Sequence, residues 1–260
     1  MKVDMHNHTY LCNHADGKPE EYLKAAISKG IDIFGFSDHA PMNFDKAYRM
    51  SFSQMDFYEN LIDELKEKFQ GKIEILKAYE VDFLPGFIDE RVISRKVDYL
   101  IGSVHFLNAW GFDNPEFIGG WKDKNIDEIY SEYFSAIENL AKSGKFDILG
   151  HLDLIKVFKF LPKKDIRILA KSALNAIKKA DLTVELNSAG LRKPVKEIYP
   201  SDALLEQIAE LEIKITLSSD AHSPEQVAQN YDEILKTALK FGFNKVAVFK
   251  NRDRKFVDLG

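Results

Sequence analysis

Seven histidines carry the chemical signal of this chain: His6, His8, His14, His39, His105, His151 and His222. A lone histidine is usually a hydrogen-bonded core or surface group. Here all seven fall at or just after the ends of apolar, strand-like runs, and none falls inside a helical stretch, which packing does not explain. His6 and His8 are two apart, so in extended backbone both rings point the same way. Glu80 and Asp220 add carboxylates at the ends of two further strand-like runs. Imidazole with a few carboxylates suits zinc, iron or manganese better than calcium or magnesium alone. Nine such ligands exceed the roughly four that one zinc-like ion takes, so two or three divalent ions are expected. Cys12 reads as an ordinary loop thiol.

The elements that must position these residues alternate regularly. Strands are expected over residues 2–6, 31–36, 73–81, 99–104, 146–150, 182–186 and 213–217. Helices are expected over 19–29, 54–69, 125–142, 163–179 and 201–210, with a short one after Gly86 and two more after Pro224. Pro19-Glu20-Glu21 makes a good first helical turn and Gly30 a stop. Residues 106–124, with Trp110, Phe112, Phe117 and Trp121, read as a long non-helical loop that walls a substrate pocket or forms a satellite core. Residues 246–249 read as a short apolar tail. Strands alternating with helices predict a parallel sheet covered on both faces. The histidines favour closing it into a TIM-like seven-stranded α/β barrel, because closure gathers every strand's C-terminal end at one rim.

The 260 residues are 45% hydrophobic, enough for one core, so a single domain spanning 1–260 is expected. A net charge of −5 argues against a nucleic-acid partner. The sequence has no apolar run of eighteen residues and no signal-peptide pattern at its start, and one cysteine cannot form an internal disulfide. The reading is a cytoplasmic protein without a membrane partner.

His6-x-His8, His14, Phe36-Ser37-Asp38-His39 and Tyr79-Glu80-Val81-Asp82 resemble the opening motifs of the PHP (polymerase and histidinol phosphatase) family. Ser103-Val104-His105, Gly150-His151-Leu152-Asp153 and Ser219-Asp220-Ala221-His222 resemble its later ones. Residues 101–106 with Trp110-Gly111-Phe112-Asp113 are similar to the histidinol-phosphate phosphatases of that family. The resemblance implies a distorted (β/α)7 barrel with a trinuclear centre. By that pattern His6, His8, Glu80 and Asp220 hold one ion, Glu80 bridges to a second on His105 and His151, and His14, His39 and His222 hold the third.

Three divalent ions, two carboxylates and a hydroxide leave roughly +3 at such a rim, a field that attracts a small phosphate ester. The expected reaction is hydrolysis of L-histidinol phosphate by a metal-bound hydroxide, a step of histidine biosynthesis. Arg192, after the sixth strand, is the expected phosphate-holding cation and Lys156 a second phosphate contact. Asp220 is a candidate to protonate the leaving alcohol. Asp38, Asp82 and Asp153, each within two residues of a ligand, are candidates to orient imidazoles. Alternatives are another small phosphate ester or nucleotide, an amide or lactone, or a non-catalytic metal-binding module.

Overall fold

The computed structural model describes residues 1–259. Its principal sheet has seven strands, all parallel: β1 (Val3–Asp4), β2 (Ile33–His39), β3 (Glu74–Asp82), β4 (Tyr99–Ser103), β7 (Ile148–Leu149), β8 (Thr183–Asn187) and β9 (Ile215–Ser218), adjacent in that order. Two short antiparallel ribbons complete the strands, β5 (Phe106–Leu107) with β6 (Trp110–Gly111), and β10 (Lys245–Lys250) with β11 (Asp253–Asp258).

The sheet curls until its first and last strands meet. Met5 N–H donates to the Leu217 carbonyl at 3.1 Å and His8 N–H to the Ala221 carbonyl at 3.0 Å, while Asn7 pairs in parallel with Ala221. The ring is a nearly closed, TIM-like barrel, as the strand pattern predicts. Its interior is filled by side chains. The Tyr99 hydroxyl crosses from β4 and donates to the Met5 carbonyl at 2.6 Å. A Cβ on Gly35 would stand 1.7 Å from that hydroxyl, so only glycine fits in β2 there.

Helices α1 (Pro19–Ser28), α2 (Met55–Lys68), α3 (Glu90–Ile93), α4 (Ile126–Lys142), α5 (Ile166–Ala180), α6 (Asp202–Glu210) and α7 (Tyr231–Lys240) follow the strands. Local chemistry fixes their ends. Glu21 accepts from Lys18 N–H ahead of α1, and Asn125 and Asp165 cap the first turns of α4 and α5. Their apolar faces, such as Tyr130, Phe134, Ile137 and Leu140 of α4, are buried in the common core.

Two expectations need correcting. Residues 106–124 are not an irregular loop: the β5–β6 hairpin leads into a 3-10 helix, Pro115–Trp121, started by Asn114, which accepts from Glu116 N–H at 2.9 Å. Asn-Pro is itself a capping signal with proline at the first helical position. The apolar tail is strand β10, paired along its length with β11. That hairpin sits on the barrel floor. Asn251 and Arg252 N–H groups donate to Asp98, just before β4, and Arg252 pairs with Asp147, just before β7. Arg254 pairs with Asp181, just before β8.

Candidate metal centre

Every strand of the ring except β8 delivers candidate ligands to the opposite rim. His6 and His8 leave β1 on the same side, fully buried, with their Nε2 atoms 3.1 Å apart. Asn13, in left-handed backbone at φ 68°, turns the chain so that His14 returns toward the rim. His39 ends β2, Glu80 lies near the end of β3, and His105 and His151 follow β4 and β7. Asp220 and His222 follow β9, Asp220 at φ 53°.

Glu80 stands at the middle. Its Oε2 lies 3.0 Å from His39 Nδ1 and 3.2 Å from His6 Nε2, while its Oε1 lies 3.1 Å from His151 Nε2 and 3.6 Å from His105 Nε2. Asp220 Oδ1 is 3.2 Å from His8 Nε2, and His14 and His222 bring their Nε2 atoms to 3.1 Å. Three groups have ligand atoms mutually within 4.8 Å: His6–His8–Glu80, Glu80–His105–His151 and His14–His39–His222. All nine sequence-derived ligand positions therefore converge on one rim. A fourth group, His8–Cys12–His222, meets the same spacing. The Cys12 thiol, however, is buried, donates to the Thr9 carbonyl at 3.1 Å, and is pushed far up from its ordinary pKa by burial. It is a poor thiolate source, as its reading as a loop thiol implies.

The donor set fits divalent metal ions. Two imidazole pairs aim nitrogens at each other at 3.1 Å, a geometry that a cation between lone pairs satisfies. His39 Nδ1 is close to Glu80 yet makes no aligned hydrogen bond, and His151 Nδ1 is buried without a partner. Burial holds His39 and His222 well below the ordinary imidazole pKa, leaving them neutral and able to ligate. Burial also depresses His6 and His105, but neighbouring carboxylates outweigh it. Glu185, Glu80 and Asp220 raise His6 well above its usual value, and Asp82 and Glu80 raise His105 to about 10. Burial pushes Glu80 and Asp220 up, and the surrounding imidazoles pull both well below the carboxylate range.

A second layer fixes the rings. His105 Nδ1 is 2.7 Å from Asp82 and His8 Nδ1 3.4 Å from Asp38, as the motif spacing suggests. His14 and His222 point Nδ1 at the carbonyls of Cys12 and Asp220. Three residues of this layer escape the sequence reading. Glu185 takes His6 Nδ1 at 2.8 Å and accepts from His151 N–H at 2.7 Å. Asn187 donates to both Glu185 and Asp220 at 3.1 Å. Arg49 donates to Asp82 at 2.7 Å. The available signal for Glu185 is a charge at mid-strand among apolar residues of β8.

Asp153 does not orient His151. It accepts from Ser201 N–H at 2.9 Å and pairs with Lys156 at 2.9 Å. Lys156 is likewise corrected as a phosphate contact. It is 2% exposed, and its ammonium is shared among Asp153, Glu197 and the Ile198 carbonyl, away from the cavity. The 3-10 helix after His151 turns that side chain back into the protein. Arg192 does reach the cavity. Its Nη2 donates to the Ser219 and Asp220 carbonyls at 2.7 and 3.0 Å, while Nη1 is buried without an acceptor.

The cavity over the ligands measures about 440 Å³. Segment 106–117 supplies one wall through Phe106, Asp113 and Phe117, while Trp121, with Trp110 edge-on and Phe160 stacked against it, belongs to the common core behind. The segment thus walls the cavity, and its tryptophans join the common core rather than a satellite one.

A family model described as PHP domain matches residues 4–189. The chain is 38% identical to a protein of Deinococcus radiodurans named probable histidinol-phosphatase, over 96% of each chain. It is 29% identical to the histidinol-phosphatase of Bacillus subtilis, over 91% of this chain and 99% of that one. Among solved structures it resembles the histidinol phosphate phosphatase of Lactococcus lactis complexed with zinc, L-histidinol and phosphate. That likeness has a TM-score of 0.81 at 22% identity and covers 98% of both chains.

Proposed function

This chain belongs to the PHP domain family, and from that premise we propose that it is a metal-dependent phosphomonoesterase hydrolysing L-histidinol phosphate to L-histidinol and phosphate, a step of histidine biosynthesis. The observation that carries the reading is the pairing of nine converging ligand residues with the unpaired, buried Arg192 Nη1 donor at the same cavity. The substrate follows from relatives of this activity that match nearly end to end.

Residues 1–260 act as one domain in this reading, in the cytoplasm. Among the described residues no helix is long and apolar enough to cross a membrane. The ligand groups accommodate two or three ions of zinc, iron or manganese. His6, His8, Glu80 and Asp220 would hold one, Glu80, His105 and His151 a second, and His14, His39 and His222 a third. Divalent ions supply Lewis acidity, bringing the pKa of water toward about 7 and offsetting phosphate charge.

The chain's own groups do the rest. Arg192 Nη1 donates to a phosphate oxygen, and the two carbonyls that hold Nη2 fix its direction. Glu80 spans two ligand groups and keeps their separation constant. Asp220, held by Asn187, takes a proton from the attacking water and returns it to the leaving alkoxide. Water adds to phosphorus as the P–O ester bond breaks, giving alcohol and phosphate.

The test is phosphate release from L-histidinol phosphate by protein loaded with manganese, iron or zinc, beside sugar phosphates, nucleotides and a phosphodiester, with His105→Ala as the site control. A marked preference for L-histidinol phosphate, lost in the variant, is expected. Preference for another ester discards the substrate. No turnover by metal-loaded, folded protein leaves a non-catalytic module.

A further inference from the structure

One carboxylate in the cavity is left out of the metal centre and its supports. Asp113 lies between β6 and the 3-10 helix, and its side chain lines the cavity. Its carboxylate meets its own backbone N–H and the fields of His105 and His151, and among the described residues no lysine or arginine pairs with it. Asp45, the other carboxylate on that wall away from the ligand groups, is already paired with Arg49. Beside Asp113 stands a second unsatisfied group. The Tyr199 ring lines the same cavity, the residue is 1% exposed, and its hydroxyl has no hydrogen-bond partner. Tyr199, Asp113 and Arg192 line the same cavity.

Aromatic rings flank this carboxylate. Gly111 has no Cβ; one there would meet Phe106 at 3.3 Å and Phe117 at 3.6 Å, so both rings close over that point. Phe117 is 47% exposed although it faces the cavity. The cavity therefore has a floor of candidate metal ligands with Arg192, a lone carboxylate at Asp113, and an apolar aromatic wall.

We propose that Asp113 is the subsite for a primary ammonium group carried next to the phosphate ester, with Tyr199 as a polar neighbour and Phe106 and Phe117 covering an adjoining flat ring. This rests on the phosphatase reading and deepens it. A 2-amino alcohol phosphate places its ammonium two carbons from the ester oxygen, so its partner must sit at the edge of the metal centre. Asp113 sits there. Its carboxylate lines the cavity and no basic side chain among the described residues pairs with it; a bound ammonium supplies that partner.

The experiment compares L-histidinol phosphate with 3-(imidazol-4-yl)propyl phosphate, which lacks only the amine, on metal-loaded protein. The wild type is expected to favour the amino ester about 10- to 100-fold in kcat/KM, and Asp113→Asn to bring the ratio near one. Absence of a preference in the wild type overturns the proposal, whether or not the variant folds. Equal losses on both esters would assign Asp113 to leaving-group chemistry or structure and also overturn it. If neither imidazole ester is cleaved while p-nitrophenyl phosphate is, the histidinol assignment fails on its own. The ammonium subsite is then decided by 2-aminoethyl against ethyl phosphate, where no preference removed by Asp113→Asn overturns it. Without any turnover, calorimetric binding of L-histidinol against its des-amino alcohol decides; equal binding, or none, overturns it.

Discussion

Glu185 holds the His6 ring with one oxygen and the backbone N–H of His151 with the other. Glu185→Gln keeps the shape and removes the charge that raises His6. Metal affinity is expected to fall about 10- to 100-fold by chelator competition, with the fold retained by circular dichroism. Protonation works against loading as well. His105 is raised to about 10 by Asp82 and Glu80 despite burial, so an ion must displace its proton. Apparent metal affinity should therefore rise with pH between about 6 and 8, with proton release seen by calorimetry in buffers of different ionisation enthalpy. The same raised pKa adds stability to the metal-free protein that is fully present below the ordinary imidazole value and lost as pH rises through about 10. Denaturant titrations of metal-free protein against a His105→Gln variant should show that difference shrinking across this window. The convergence of these nine residues was legible because imidazoles at strand ends are a type-and-place signal. Glu185, Arg49 and the fate of Lys156 were not, since each depends on which buried partner the chain brings close.

Between residue and fold, the turn after β8 decides where Arg192 points. Asn187 pairs with Tyr199 in an antiparallel bridge, so segment 188–192 runs against the returning chain. A Cβ at Gly190 would stand 2.0 Å from the Glu197 carbonyl, a backbone atom that cannot swing aside. Gly190→Ala is expected to cost about 1–3 kcal/mol of stability in urea unfolding, and to raise KM for the phosphate ester as Arg192 shifts. Barrel strands and most helices were legible from apolar runs punctuated by glycine and capping residues. The β10–β11 hairpin was not. Its turn uses Asn251 and Arg252 at positive φ without glycine, and β11 mixes lysine and arginine with apolar residues, which hides strand alternation. The 3-10 helix at Pro115 was missed for another reason: aromatic and glycine content outweighed a correct Asn-Pro start.

For the whole molecule, a chain of net charge −5 gathers seven imidazoles around two carboxylates at one rim. Function occupies one end of the barrel and closure the other. Val246, Ala247, Val248 and Phe249 of β10 are buried against the floor. Removing residues 245–259 should therefore lower the thermal midpoint sharply or abolish folding, read by calorimetry, although no cavity residue is touched. The seam of the barrel carries a further consequence, for biosynthesis. Asp4 accepts from Ser219 N–H across 215 positions, and His14 meets His222 across 208. Contacts this distant in sequence close late and at high entropic cost. A ribosome adds about 5–20 residues per second, so the nascent chain carries seven of the nine candidate ligands for seconds before Asp220 and His222 emerge. The set of candidate ligands is thus completed by the step that seals the ring, and a translating chain carries an open, partial set until that moment.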